Sequence, residues 1–512
     1  MSGLVEGRTL NAPLELSADV VVVGSGAGGM VAATLLAEAG LEVVVVEEGK
    51  YVSNRQQGRF RQSESVRHLW RDGSMSVAFG LGGGAPSVNL MVGTGVGGSS
   101  LLTGGVCLRV PEAILAPWAS ELGLTELTPK GLDPHYREVE EAIHVEEVPV
   151  SMRSRSTELF GIGAKKLGHP IKPISRNTKG CHGCGRCNFG CPEGAKMSVD
   201  VAYLPRLLAA GGQVFSDCLV ERVVHERGRA SGVRGRLLNR PGRKRGEPFT
   251  VHAKVVMLAC GGLHTPILLK SSGLAPFGSQ VGENLTLHPG FRVFARFDED
   301  VRGWRGALQS AYTDAFERDH VTLMSLFVPA PVIAATMPGV GPAHYERAKH
   351  APNIAIFGGM VHDEGPGRVR RGLGREPFVT YSMTDKDRRA MYKGIRITAE
   401  TFFAAGAREV YLPILGSDAL DADAFARFEL ERVPPVRFES ASQHPLGSCQ
   451  MGTTAADSAV DPDGKLWDTH NVFLCDGSVI PTSLGVNPQL TIMAMATRIA
   501  HELRDGFRRR FH

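Results

Sequence analysis

Residues Asp19 to Gly49, DVVVVGSGAGGMVAATLLAEAGLEVVVVEEG, restrict what this chain can fold into more than any other stretch. Val20 to Val23 form a short β-branched run of the kind that fills a strand buried on both faces. Gly24, Gly26 and Gly29 follow in the spacing G-x-G-x-x-G, and an alanine-rich helical pattern then runs to a stop at Gly40. Val43 to Val46 make a second buried strand, with Glu47 at its end. Strand, glycine turn, helix, strand and acid in that order predict a βαβ unit that binds a dinucleotide. The helix N-terminus offers unpaired N–H groups and a partial positive charge to a pyrophosphate. Glycines let the backbone approach it, and Glu47 is placed to accept from a ribose hydroxyl. The bland alternative is an ordinary βαβ unit with a glycine turn. In a chain with 62 glycines a lone G-x-G-x-x-G would not decide between them; its ordered context does.

At 512 residues there is room for two or three domain-sized cores. A formal net charge of +4 is nearly balanced at this size and gives no argument for nucleic acid; Arg508-Arg509-Arg510 reads as a solvated tail. The first twenty residues lack a basic region followed by an apolar core, which argues against a secretory signal and for a cytoplasmic protein. No membrane span is expected, since the nearest apolar run, Val321 to Val340, is interrupted by Pro329, Pro331 and Pro338. Peripheral membrane contact stays open. Nine cysteines without a signal read as thiols or metal ligands rather than a disulfide framework.

Lys50 to Asn89, polar and then glycine-rich, is expected to be a long excursion covering the cofactor. It leads into Gly93-Thr94-Gly95-Val96-Gly97-Gly98-Ser99-Ser100, where backbone can lie flat against a ligand and two serines can donate hydrogen bonds. The bland reading is a flexible loop. Pro111 to Ile143 looks helical and is scaffold.

Asn177 to Ser198 carries Cys181, Cys184, Cys187 and Cys191 before Pro192, the spacing C-x2-C-x2-C-x3-C-P that bacterial ferredoxins use for iron–sulfur clusters. In those proteins the fourth cysteine of such a run serves a second cluster. No second run occurs here, so one cluster calls for a remote ligand, with Cys218 and Cys107 as candidates. An iron–sulfur cluster, another metal such as zinc, and buried metal-free thiols all stay open.

Beyond Ser198 the pattern gives a helix over Tyr203 to Ala210 and apolar runs from Gln213 to Val224. A strand pair with a basic turn at Asn239 to Arg245 follows, then a buried strand over Lys254 to Cys260 ending at Gly261-Gly262. From about Gly290 to Ser440 the glycine-rich signature disappears. Strands over Phe291 to Phe297 and Ile354 to Met360, and an amphipathic helix over Asp385 to Gly406, predict a second domain capping the cofactor. Val321 to Val340 reads equally as an access path and as ordinary core. Then Ser442 to Ser448 surround His444 with turns, Val472 to Cys475 makes a strand before Asp476-Gly477, and Asn487-Pro488-Gln489 opens a helix to Arg504.

Together these motifs resemble the glucose–methanol–choline (GMC) oxidoreductases, which bind FAD. The resemblance spans nearly the whole chain: the fingerprint ending Glu47-Glu48-Gly49, Gly97-Gly98-Ser99-Ser100, Gly261 to Pro266 with Ser272-Gly273, Val281 to Leu285 with His288, His444-Pro445-Leu446-Gly447, and Asp476 to Pro481 with Asn487-Pro488. Gly194-Ala195-Lys196 and Val486-Asn487-Pro488 look most like the branch of long-chain (fatty) alcohol oxidases and cholesterol oxidases. The resemblance implies an α/β fold. A Rossmann-type FAD-binding domain takes residues 1–130, 177–290 and 441–512, and a discontinuous α+β substrate domain, an antiparallel sheet with helices, takes 131–176 and 291–440.

It also implies roles. His444 matches the catalytic histidine that handles the substrate hydroxyl proton, and Asn487 the partner that orients the same oxygen. An imidazole at hydrogen-bond distance suits that task. Asp476 matches the acid near the flavin ribityl chain, with Gly477 and Pro488 in the cofactor-binding set, and Val220 matches the residue whose backbone meets the adenine. Gly97, Gly98, Ser99 and Ser100 are expected along the pyrophosphate and isoalloxazine. Many members carry asparagine where Thr103 stands, and some attach FAD through a histidine where Leu102 stands, so noncovalent FAD is expected. The expected activity is oxidation of a hydrophobic long-chain or sterol-like alcohol to aldehyde or ketone, with oxygen, a quinone or a cytochrome as acceptor. A cyanohydrin-type lyase on the same fold and an electron-transfer flavoprotein subunit are the competing classes.

Overall fold

The computed structural model describes residues 3–80, 86–239, 244–276 and 278–511. Residues 240–243 of the expected basic turn lie outside the described residues.

Two sheets organise the molecule. The first contains Leu4–Glu6, Gln213–Ser216, Val43–Val46, Leu14–Val23, Lys244–Leu258, Arg229–Asn239 and Cys218–Glu226 in that spatial order, with Val472–Leu474 also paired to Lys244–Leu258. Its centre is parallel: Val20 to Val23 pair with Val43 to Val46 on one side and with Val255 to Leu258 on the other. Helices Ala27–Glu38 and Gln489–Phe511 pack against each other over this sheet. A strand covered on both faces has no polar side to show, which is why both valine runs are unbroken and buried. Every such valine contributes roughly 1.5–3 kcal/mol by leaving water.

The second sheet runs Arg368–Arg371, Pro377–Tyr381, Ser76–Gly80, Val88–Leu90, Ser440–Ser442, Gly290–Arg296, Ile354–Val361, Val321–Ser325, Ala311–Thr313 and Lys172–Pro173. Most pairs are antiparallel; Pro377–Tyr381 with Ser76–Gly80, and Ser440–Ser442 with Val88–Leu90, are parallel. Helices Arg155–Lys166 and Asp385–Ala404 cover one face. Thr384 and Asp387 form a capping box that starts the longer helix. The period of two divides each strand between two duties. Val293 and Ala295 pack into the core beneath the helices, whereas Gly290, Arg292 and Phe294 line a cavity.

The packing departs from the expected boundaries. Residues 50–89 are not a bare excursion: they form two short helices, Asn54–Arg59 and Gln62–Leu69, and lend Ser76–Gly80 and Val88–Leu90 to the second sheet. The helical stretch from Pro111 breaks into Glu112–Ser120 and Pro129–Ala142. The latter buries Leu132, Tyr136 and Val139 in the first core against the C-terminal helix, so a division at residue 130 does not follow the packing. Tyr136 fixes that contact by a 2.9 Å hydrogen bond to Thr491. Among the described residues no helix is long and apolar enough to cross a membrane.

Candidate active site

The three fingerprint glycines do different work. Gly24 has φ +99°, and a Cβ there would lie 2.3 Å from the Ala259 carbonyl oxygen. A Cβ on Gly29 would lie 2.2 Å from Gly24 O, so this glycine serves helix–strand packing. Around Gly26 the space is open, and no side chain caps the helix it precedes. Gly26, Ala27 and Gly28 line a cavity of about 1500 Å³. Uncapped N–H groups facing open space at a helix start fit a pyrophosphate. The volume exceeds the roughly 300–1,000 Å³ of a pocket for one small ligand, leaving room for a dinucleotide with a substrate.

Along the rest of the cradle, Glu47 is buried and its carboxylate accepts from Ser25 N–H (3.0 Å), Ser25 Oγ (2.8 Å) and Gly49 N–H (2.7 Å). Burial raises its pKa and those hydrogen bonds oppose the rise. It lines the cavity, but its first partners are protein groups rather than open space. Next to it Glu48 takes ion pairs from Arg71 (3.0 Å) and Arg375 (2.5 Å), which hold it far below the usual carboxylate range despite its burial. Val220 lines the cavity where the register of its strand shifts, between Val220 and Arg222, a break that frees backbone groups. Asp476 accepts from Gly261 N–H (2.8 Å), Thr265 Oγ1 (2.5 Å) and Ser478 N–H (2.8 Å), tying the glycine pair after the long strand to the final segment. Gly477 and Pro488 also line the cavity.

The serine turn is used differently from the expectation. Gly98, Ser99 and Ser100 line the cavity and Gly97 does not; a Cβ on Gly97 would lie 2.7 Å from Leu101. Ser100 Oγ donates to Gly97 O (2.7 Å), and Ser99 Oγ accepts from Gly93 N–H (2.9 Å). The hydroxyls thus shape the turn itself. Leu102, at the position where some similar proteins attach flavin, is buried with Val52, Leu69, Trp70 and Leu101.

Deeper in the cavity stand His444 and Asn487, with His444 Nε2 and Asn487 Nδ2 3.4 Å apart. Asn487 Oδ1 is buried without a hydrogen-bond partner. A third residue joins them: His288 Nδ1 is 3.2 Å from His444 Nδ1. His288 Nε2 accepts from Leu484 N–H (2.8 Å) and Gly485 N–H (3.1 Å), so its own proton belongs on Nδ1, where it donates to His444. Neutral His444 then carries its proton on Nε2, toward the cavity. Burial, with His288 alongside, holds the His444 imidazole well below its ordinary pKa, and burial with His362 pushes His288 down to about 3. Both rings are therefore neutral near pH 7.

Phe294, Met324, Leu326, Val328, Val332 and Ile356 give the same cavity an apolar lining, alongside the polar Arg292 and Gln309. Within the stretch from Val321 to Val340, Met324, Phe327, Val328 and Val332 line the cavity, whereas Ile333 and Met337 pack in a separate small core. Cys181, Cys184, Cys187 and Cys191 all line a second, small cavity, away from Cys218, which lines the large one. Among the described residues no three His, Cys, Asp or Glu side chains are placed to hold a single metal ion. Sequence reasoning assigned no role to His288, Glu48 or the Arg71–Arg375 pair. His288 stands 156 residues from His444, and no local spacing signals such a contact.

A dinucleotide cradle whose cavity continues past a histidine–asparagine pair into an apolar chamber defines a cofactor-dependent oxidoreductase. The chain belongs to the GMC oxidoreductase family: its N-terminal model matches residues 18–290 and its C-terminal model residues 375–496. An uncharacterised GMC-type oxidoreductase of Mycobacterium tuberculosis is 37% identical over 96% of this chain and 76% of its own length. A long-chain-alcohol oxidase, FAO1, of Arabidopsis thaliana is 29% identical over 97% and 68%, and a cholesterol oxidase of Acinetobacter baumannii 24% over 94% and 93%. Among solved structures, pyridoxine 4-oxidase from Mesorbium loti superposes with TM-score 0.73 at 18% identity, covering 94% of this chain and 98% of that one. A formate oxidase from Aspergillus oryzae, studied for its FAD modification, gives 0.73 at 16%, covering 96% and 99%.

Proposed function

We propose that this protein binds FAD noncovalently and oxidises a hydrophobic alcohol, long-chain primary or sterol-like secondary, to the aldehyde or ketone. The carrying observation is the placement of His444 Nε2 and Asn487 Nδ2, 3.4 Å apart, between the cradle and an apolar chamber. The relatives named for long-chain alcohols and cholesterol support the substrate class. Gly24, Gly26 and Gly98 would hold the pyrophosphate, Glu47 the ribose side, Val220 the adenine, and Asp476 with Gly477 and Pro488 the ribityl side. Leu102 has no group through which a flavin can be attached, which supports noncovalent binding. Bound FAD supplies a two-electron hydride acceptor.

The chain's own residues govern the alcohol oxygen. With the His444 proton on Nε2, both His444 and the Asn487 amide present donors that share no acceptor between them. An oxygen placed between two such donors is stabilised as it passes from hydroxyl toward alkoxide, the change that lets a carbinol carbon release hydride. The hydroxyl proton passes to bulk water through the cavity mouth, and His444 handles it in this sense: it grips the oxygen that loses it. Taking that proton onto Nε2 requires the ring to give up its own first. The apolar chamber excludes water and orients the alkyl or ring portion of the substrate.

The test is anaerobic mixing of the FAD-loaded protein with a series of primary alcohols and a sterol. Flavin bleaching that quickens as the chain lengthens is expected. Absence of bleaching with every alcohol, alongside cyanohydrin cleavage, would establish the lyase class instead.

A further inference from the structure

We propose that Cys181, Cys184, Cys187 and Cys191 together bind one iron–sulfur cluster. All four line a single small cavity with Arg176 and Lys196, and none is in a disulfide. A zinc ion needs its sulfurs drawn to about 2.3 Å around one point, and no three of these side chains are placed for a single ion. Thiolates that ligate a cluster stand at the corners of a larger metal–sulfide body, and a ring of four around a shared space suits that. The remote fourth ligand is unnecessary: Cys191 shares the cavity, whereas Cys218 faces the large cavity and Cys107 packs in the first core.

Charge carries the inference further. Arg176 and Lys196 are each only 1% exposed, and neither forms an ion pair with a carboxylate among the described residues. Arg176 donates to Cys187 Sγ (3.0 Å) and Gly104 O (2.7 Å). Lys196 Nζ donates to the carbonyls of Leu101 (2.7 Å), Thr103 (3.0 Å) and Cys187 (3.0 Å). Arg176 is buried with no carboxylate acting on it and Lys196 with only that of the buried Asp200, an arrangement that costs stability and that neutral thiols do not offset. Four thiolates on a cuboidal core carry about two negative charges in all, which would offset the Arg176 guanidinium and add to Asp200 beside Lys196. The N–H groups of Gly183 and Lys196 also point at Cys181 Sγ and Cys191 Sγ, both at 3.4 Å, as donors do around ligated thiolates.

The location suggests its use. Thr103 and Gly104 line the large cavity, and Lys196 and Arg176 grip their carbonyls from behind. Cys184, at the other end, is exposed. Resting on the flavin reading, the cluster takes two electrons from reduced flavin one at a time and hands them to two equivalents of a one-electron acceptor of the cytochrome class; the protons go to solvent.

Iron, acid-labile sulfide and zinc are to be measured on the full-length, FAD-loaded protein purified without oxygen. About four irons and four sulfides per chain are expected, with a shoulder near ~400 nm that dithionite bleaches. Cys184→Ser and Cys181→Ser should each lose at least about half of that iron while keeping FAD. Less than about one iron per chain after anaerobic incubation with ferrous iron and sulfide, or zinc without sulfide, overturns the proposal. The wild-type assay decides even where a serine variant fails to fold. Flavin bleaching by alcohol is read on the same sample, so failure of the cluster and failure of the alcohol reading are distinguishable.

Discussion

His288 Nδ1 lies 3.2 Å from His444 Nδ1, with the two ring planes at 81°. Because two backbone N–H groups already occupy His288 Nε2, this contact decides which nitrogen of His444 bears its proton. His288 is thus a positioning residue. His288→Ala should keep FAD stoichiometric while slowing anaerobic flavin reduction by about 10–100-fold, since ring placement controls reactive geometry. It should also move the His444 pKa upward, because the neighbour that helps to depress it is gone. A pH profile of flavin reduction with a new ionisation in the variant checks the positioning role; an unchanged rate and profile would remove it.

Direct contact with the reacting oxygen falls to His444 and Asn487, so truncating either must act on reduction rather than on cofactor content. His444→Ala is expected to retain FAD and slow flavin reduction by about three or more orders of magnitude; Asn487→Ala, which leaves one donor, by about 10²–10³-fold. Stopped-flow absorbance under nitrogen measures both.

Gly26 of the fingerprint and Gly28, two residues on, should behave in opposite ways. A Cβ on Gly26 meets nothing within 4 Å, and its φ of −68° suits alanine. Gly26→Ala should therefore fold with an unaltered melting temperature as apoprotein yet bind FAD at least about tenfold more weakly, because the methyl occupies the pyrophosphate's approach. A Cβ on Gly28 would stand 1.7 Å from the Cys475 carbonyl oxygen. Gly28→Ala should cost about 3 kcal/mol or more by forcing the fingerprint helix off the final strand. Urea titration and FAD fluorescence separate the two effects.

These contrasts show what the sequence could carry. Val20 to Val23, the fingerprint glycines and Val43 to Val46 were legible because their elements are contiguous and their periodicity is set by burial on both faces. His444 and Asn487 were legible only through resemblance, since nothing local separates a catalytic histidine from a structural one. His288 against His444, and Arg71 with Arg375 on Glu48, were not legible at all. Each joins residues far apart in the chain, 156 between His288 and His444 and 327 between Glu48 and Arg375, brought together only by the tertiary fold. The local duty of Gly97 was hidden for a related reason. Its positive φ of +111° and its contact with Leu101 shape the turn, and a glycine-rich string does not reveal which glycine faces outward.

The two buried histidines also set a pH dependence of stability. In the unfolded chain each titrates near pH ~6.5, whereas in the native protein His288 is held to about 3 and His444 lies well below its ordinary value. Below pH ~6.5 the unfolded chain binds protons that the native rings refuse, so their contribution is complete above that pH and is lost as pH falls through the native values. Each ring should remove about 1.4 kcal/mol per pH unit across the window between its two pKa values. Urea unfolding between pH 7.5 and pH 4.5, the lower limit chosen to stay above most carboxylate titrations (about pH 4), should show that decline in the wild type. In His288→Ala the slope should be shallower, because one such ring is missing and the pKa of the other has moved toward its unfolded value. Equal slopes would mean that His288 is protonated in the native state. In that case its Nε2 cannot accept from both Leu484 and Gly485, and the tautomer assigned to His444 fails with it.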